Sequence, residues 1–316
     1  MVSTQAGSPL IGASPRPPTF RVWLQAVRIF SFTASVTSIL VGSALALYDR
    51  AFDVPLFLVM LLASVACHAG ANLANDFFDH NKGIDTLESL GPSKVIQQGL
   101  LTPNQVKRGM IVAFGIATIL GLVIVAQTGW EILALAMASL AAAYLYTGGP
   151  KPLGYVALGE ATVFVFMGPV MVTGAYYVLT DSVTWSSVLI SLPIGLLVAA
   201  ILHANNVRDI DLDRAAGKTT LATLLGRRGA TYEYWMLTGG AYLATIGVIV
   251  AEPGLSTVAI AGATLPVAVR LCRGVAVGED PPALNRVLRG TAGLHMRFGA
   301  LYTCGILFAV LIDRIT

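Results

Sequence analysis

The sequence predicts an all-α integral membrane protein with nine transmembrane helices, arranged as two parallel four-helix halves plus a last helix. Three observations lead there. Of 316 residues, 55% are hydrophobic and only 12% charged, with a mean hydropathy of +0.74, a balance that soluble domains of this length rarely show. Apolar runs of about 20 residues, enough to cross ~30 Å of hydrocarbon, recur along the whole chain. The basic residues gather in alternate connections, as topology requires.

Residues 1–20 are rich in Ser, Pro, Gly and Ala without hydrophobic periodicity and read as a disordered cytoplasmic tail. Residues 21–316 form one transmembrane domain. The first apolar run, 29–48, is too long for the core of a cleavable signal and stays in the membrane. Eight further spans are expected near 54–75, 109–127, 130–147, 156–179, 185–204, 234–251, 255–272 and 294–312. With the N-terminus cytoplasmic, 18 of the 20 Lys and Arg residues fall inside and only Arg50 and Arg314 outside. The inner connections after spans two, six and eight are long enough to form a lid. The net charge of +3 is scattered over these connections rather than collected on one face, which excludes nucleic acid as a partner. Cys67, Cys272 and Cys304 lie singly in apolar segments and read as small core residues.

The chemistry-bearing residues stand at the inner ends of spans two and six. In a helix of 3.6 residues per turn, Asn72, Asp76 and Asp79 share a sector of roughly 60°, and so do Asn206, Asp209 and Asp213. Carboxylates beside a membrane span are costly and point to function, and two clusters of like charge need cations between them. All-oxygen ligands favour Mg²⁺ or Mn²⁺, and Mg²⁺ is usually shared between carboxylates and phosphates, so a diphosphate is the implied guest. Arg28, Lys82, Lys94, Lys151, Arg208 and Lys218 lie on the same side and are candidates to hold its oxygens.

Three other features invite functional readings. Gly217-Lys-Thr-Thr220 resembles the end of a phosphate-binding loop, but Leu212 stands where that loop needs glycine and no strand precedes it. Glu160 is a lone acid in span five, suited to orienting an acceptor or taking a proton, or to a structural hydrogen bond with a neighbouring helix. His68 and His203 lack metal-ligand spacing and read as helix-packing residues.

Taken together, these residues resemble the UbiA-type intramembrane aromatic prenyltransferases, within that family the branch acting on 1,4-dihydroxy-2-naphthoate. The resemblance covers nearly all the chain after Arg28. It rests on Asn72-Leu-Ala-Asn-Asp-Phe-Phe-Asp79 with Lys82-Gly-Ile-Asp85, Gly91-Pro-Ser-Lys-Val-Ile-Gln-Gln-Gly99, Tyr146-Thr-Gly-Gly-Pro150, Gly159-Glu160, and Asn205-Asn-Val-Arg-Asp209 with Asp213 and Gly217-Lys-Thr-Thr-Leu221. The Ser/Pro-rich tail matches nothing in the family.

The resemblance implies nine helices around a central cavity and two aspartate-rich motifs binding Mg²⁺ and the diphosphate of a polyprenyl donor. Asn72, Asp76, Asp79, Asp85, Asn206, Asp209 and Asp213 would be the metal ligands. Asp76, Asp79, Asp209 and Asp213 would carry catalysis, and Tyr146 and Glu160 would contact the acceptor. The implied reaction gives demethylmenaquinone with loss of carbon dioxide, in a bacterial cytoplasmic membrane whose lipid surrounds the helices. Acceptors such as 4-hydroxybenzoate or homogentisate are the alternative within the family. A secondary transporter would instead break its helices near the bilayer midplane, whereas both clusters here sit at the inner edge. A structural protein gives no reason for paired Asn/Asp motifs.

The charge asymmetry makes the orientation testable. In a background without the three native cysteines, a cysteine placed at Gly217 should react with an impermeant thiol reagent only from the cytoplasmic face. Labelling only from the outside would overturn the topology.

Overall fold

A computed structural model describes residues 18–84, 90, 93–278 and 280–315, so Asp85 and the first 17 residues of the tail lie outside the described set. Twelve α-helices follow in order: α1 (Thr19–Ala26), α2 (Thr33–Tyr48), α3 (Val54–Asn81), α4 (Pro103–Thr128), α5 (Glu131–Leu145), α6 (Gly159–Val165), α7 (Met171–Thr180), α8 (Trp185–Arg208), α9 (Ile210–Ala215), α10 (Leu221–Ala251), α11 (Leu265–Val277) and α12 (Pro281–Ile315). The helix α1 begins two residues inside the expected tail, where Pro18 fixes the backbone just ahead of it. A 3₁₀ stretch of four residues leads into α2 and one of twelve residues into α11, and a π-helical turn at Phe166–Val170 joins α6 to α7 around Pro169. Proline cannot donate to the ladder, and the wider turn absorbs the missing bond.

Eight of these segments are long and apolar enough to cross a membrane among the described residues. The expected span over 130–147 is helical as α5, but its 15 residues reach only ~22 Å, short of the hydrocarbon thickness. The other spans occur where expected, and several helices run past the bilayer. The helix α3 continues to Asn81 and so carries Asp76 and Asp79 in regular helix. The long connection expected after span eight is mostly helix instead, because α11 and α12 extend toward each other and only three residues, Gly278 to Asp280, separate them. An apolar scan measures the length in lipid, not the length of the helix. Among the described residues, helix takes the place of the lid expected there.

Caps fix where the helices begin. The side chains of Thr102, Thr184 and Thr220 each accept from the backbone N–H three residues on, while their own backbone N–H donates to the side chain there, and Asp53 accepts from Leu56 N at 2.7 Å. The Gly217-to-Thr220 stretch is thereby explained without a nucleotide: Gly217 turns the chain at φ +68° and Thr220 caps α10.

Lipid-facing and protein-facing surfaces separate clearly. The most hydrophobic stretch of α8 is 67% buried, that of α3 only 11%, which makes α8 the axis of the bundle. Ile111, Ile119 and Leu122 of α4 are exposed, as an apolar solvent permits. Cys304 is exposed too, rather than in the core as expected, and in lipid that costs nothing. The largest core cluster joins α2, α7, α8, α10 and α12 through residues such as Leu45, Tyr176, Ile194 and Phe298. Each half has a dominant pair: α3 packs chiefly on α4 and α8 chiefly on α10, the second and third spans of their halves. This correspondence agrees with two parallel halves.

Close approach of α8 to the π-turn requires glycine on both sides. A Cβ on Gly168 would lie 2.7 Å from the Gly195 Cα, and one on Gly195 2.8 Å from the Phe164 carbonyl oxygen. Gly195→Leu should therefore cost at least ~1–3 kcal/mol of stability, by overpacking against backbone. Gly239→Leu, which has open space around it, should cost far less. Melting of the detergent-solubilised variants checks this, and equal losses would contradict the helix contact.

Candidate functional site

The first acidic motif grows from the last two turns of α3. Asn72, Asp76 and Asp79 lie on its buried side, as the 3.6-residue spacing requires. Asn72 donates through Nδ2 to the Val27 carbonyl at 2.8 Å and to Ser31 at 3.0 Å, and because a carbonyl only accepts, the amide oxygen of Asn72 points elsewhere. Arg28, held at φ +54° between α1 and the next turn, pairs with Asp76 and donates to Asn75 at 2.8 Å. Asn75 in turn donates to Asp79 at 2.7 Å. The segment from Ser93 to Leu101 closes over this end, with Gln25 reaching the Ser93 carbonyl and Val95 and Ile96 buried against Val22, Ala26 and Leu73. Among the expected lid residues, these form a packed floor.

The second motif occupies the end of α8 and the short α9. Asn206 donates to Glu160 Oε1 at 2.9 Å, so its carbonyl oxygen also faces away from that partner. Arg208 is buried and turned inward, bonded to Asp209 at 2.5 Å, Asn205 at 2.9 Å and Asn285 at 2.9 Å. Asp213 pairs with Lys218 at 3.2 Å. Burial pushes the Asp213 carboxyl up to about 6, against the pull of Lys218, so a further cation would be favoured there.

Tyr155 links the two motifs. Its hydroxyl donates to Asp79, while Lys82 lies 4.4 Å and Lys218 5.5 Å from its ring centroid. The backbone reinforces the link: Ala157 N donates to Thr219 O at 2.9 Å and Thr219 N to Tyr155 O at 3.1 Å. A continuous line of contacts therefore runs Asp79, Tyr155, Lys218, Asp213. Lys82 also donates to the Thr147 carbonyl at 3.0 Å, and burial holds its ammonium below the ordinary lysine range.

Not every expected residue joins this centre. Lys151 is exposed, Lys94 is half-buried at φ +53°, and Asp85 is not among the described residues. Glu160 is 3% exposed and bonded to His203 and Asn206. Tyr146 lies alongside, its hydroxyl 3.4 Å from where a Cβ on Gly159 would stand. His68 bonds Ser31 and Ser35 between helices, as a packing residue should, but His203 does not fit that description, because it faces two carboxylates. Sequence reasoning missed Tyr155, Asn75, Asn205 and Glu233. The two asparagines stand one helical turn before an Asp, a visible pattern, whereas nothing local marks Tyr155 or Glu233.

The fit to a divalent cation can be judged from unspent atoms. Among the described residues, Asp76 Oδ2 and Asp213 Oδ2 are buried without a hydrogen-bond partner, one in each motif. Orphaned carboxylate oxygens at the centre of an all-oxygen donor set are what a hard cation would take up.

Comparison with known proteins agrees with this arrangement. Residues 35–288 match the UbiA prenyltransferase family. A 1,4-dihydroxy-2-naphthoate octaprenyltransferase of Bacillus subtilis is 32% identical over 285 residues, 90% of this chain and 92% of that protein. One of Mycobacterium tuberculosis is 32% identical over 289 residues, 92% and 97% of the two chains. In fold, the chain is similar to a UbiA homolog from Archaeoglobus fulgidus bound to GPP and Mg²⁺, with a TM-score of 0.65 at 15% identity, covering 89% of this chain and 99% of that one.

Proposed function

The chain belongs to the UbiA prenyltransferase family, and from that membership we propose that it transfers a polyprenyl group from polyprenyl diphosphate to 1,4-dihydroxy-2-naphthoate, giving diphosphate, carbon dioxide and the quinol form of demethylmenaquinone. The observation that carries the proposal is the joining of the two Asp motifs through Tyr155, with an orphaned carboxylate oxygen in each. The relatives named for this reaction support the acceptor.

In this proposal Asn72, Asp76, Asp79, Asp85, Asn206, Asp209 and Asp213 hold Mg²⁺ on the cytoplasmic side. When bound, the ion would act as a Lewis acid that neutralises the departing diphosphate. The chain's own residues do the rest. Lys82 and Lys218, flanking the Tyr155 ring, present ammonium groups to the phosphate oxygens, with Arg28 one motif away and Lys94 and Lys151 further out. Arg208 acts indirectly, by holding Asp209 in place. The allylic C–O bond breaks with its electron pair going to diphosphate. The electron-rich ring then supplies the pair for the new C–C bond at the carbon bearing the carboxylate, and the electrons of the C–COO⁻ bond return to the ring as carbon dioxide leaves. Apolar helix walls keep water, the competing nucleophile, from the allylic carbon. Tyr146 is the residue assigned to the acceptor ring, and Glu160 works through Asn206, taking the amide N–H so that the carbonyl oxygen can face the cation.

Purified protein offered 1,4-dihydroxy-2-naphthoate, 4-hydroxybenzoate and homogentisate side by side with a polyprenyl diphosphate tests the assignment. The naphthoate should be prenylated preferentially, with one labelled carbon dioxide released per product, and chelation should stop the reaction. Preference for either single-ring acid would sink the naphthoate assignment.

A further inference from the structure

A second ionisable group lies next to Asn206, one helical turn earlier along α8. Glu160 of α6, His203 of α8 and Glu233 of α10 bring one ligand atom each to within 4.8 Å of one another. His203 is completely buried and Glu160 is 3% exposed. Three separate helices meet at this point.

Hydrogen-bond bookkeeping around His203 constrains what lies between these side chains. Its Nε2 is 2.8 Å from the Ala230 carbonyl oxygen, which only accepts, so Nε2 carries hydrogen. In the neutral ring Nδ1 therefore presents a lone pair, and it faces Glu160 Oε1 at 3.0 Å and Glu233 Oε2 at 3.5 Å. Electron-rich atoms do not stand together unless a positive centre separates them. Among the described residues, His203 is the only ion-pair partner of either carboxylate. A proton on Nδ1 leaves two carboxylates against one imidazolium, a net negative charge in a buried, lipid-embedded site. A divalent cation with a neutral imidazole and two carboxylates sums to zero.

Two independent features favour the metal. Glu160 Oε2 and Glu233 Oε2 are buried with no hydrogen-bond partner among the described residues. In addition, an imidazole that donates its far N–H to a backbone carbonyl has the tautomer and orientation of a metal-binding histidine. Arms of about 2.0–2.2 Å in a tetrahedron set ligands ~3.4 Å apart, and the observed 3.0 and 3.5 Å bracket that separation.

We propose that Glu160, His203 and Glu233 form a zinc-class metal site, separate from the oxygen-only aspartate site, that staples α6, α8 and α10 together behind Asn206. The mixed imidazole and carboxylate donors select zinc over magnesium. Because Asn206 shares the Glu160 carboxylate, the metal also fixes that amide of the second motif.

The test uses full-length protein in detergent, loaded with zinc and then dialysed against metal-free buffer containing excess Mg²⁺. Elemental analysis should find about one zinc per chain in the wild type and none above background in His203→Gln or Glu233→Gln. X-ray absorption should show only nitrogen and oxygen neighbours at about 2.0–2.2 Å. A strong chelator should lower the melting temperature of the wild type and leave that of Glu233→Gln unchanged, by linkage of binding to folding. Zinc absent from the wild type, or retained equally by the variants, would overturn the proposal and leave protons as the positive charge. These readouts do not involve prenyl transfer, so their failure leaves the proposed reaction standing.

Discussion

The C-terminal ends of α3 and α8, with the short α9, bring Asp76, Asp79, Asp209 and Asp213 into a mostly buried region, and the rest of the structure answers that accumulation of negative charge. Each carboxylate has its own countercharge or donor: Arg28 for Asp76, Tyr155 for Asp79, Arg208 for Asp209 and Lys218 for Asp213. Removing one partner of a buried pair costs ~3–5 kcal/mol, so these residues are as necessary to the fold as the acids are to the site. The compensation is nevertheless incomplete, since one oxygen of Asp76 and one of Asp213 remain without partners.

Helix construction serves the same end. Because α3 continues in regular helix through its polar turns, Asn72, Asp76 and Asp79 keep a fixed sector, whereas the second motif breaks at Asp209 and carries Asp213 on the separate helix α9. Capping by Thr220 and the left-handed turn at Gly217 bring Lys218 back under Tyr155, so a segment between helices becomes as well defined as the helices it joins. The glycine contact between Gly168 and Gly195 allows α8 to sit at the centre of the bundle, within reach of α6 and α10.

Much of this was legible in the sequence because the signals are local. Apolar length located the spans, and the 3.6-residue period placed Asn72, Asp76 and Asp79 on one side of α3. What escaped depends on pairs far apart in the chain. Tyr155 meets Asp79 across 76 residues, and Glu233 meets His203 across a turn that begins another helix. Periodicity carries no information about either. The count of nine spans met a different limit: α5 is mostly apolar after Glu131, yet hydropathy does not report that its helix stops at Leu145, short of the length that crosses a bilayer. Likewise, Arg208 looked like a phosphate ligand by charge, and only its contacts with Asp209, Asn205 and Asn285 reveal a residue facing inward.

That the two Asp motifs act as one site can be examined without any prenyl chemistry, by measuring Mg²⁺-dependent binding of inorganic diphosphate to the wild type, Asp76→Asn, Asp209→Asn and the double variant. A shared cation makes the losses non-additive: each single substitution should weaken binding by roughly tenfold or more, and the double variant should lose far less than the product of the two. Losses that multiply, or binding that persists when Mg²⁺ is chelated, would contradict a single metal and diphosphate centre built from both helices.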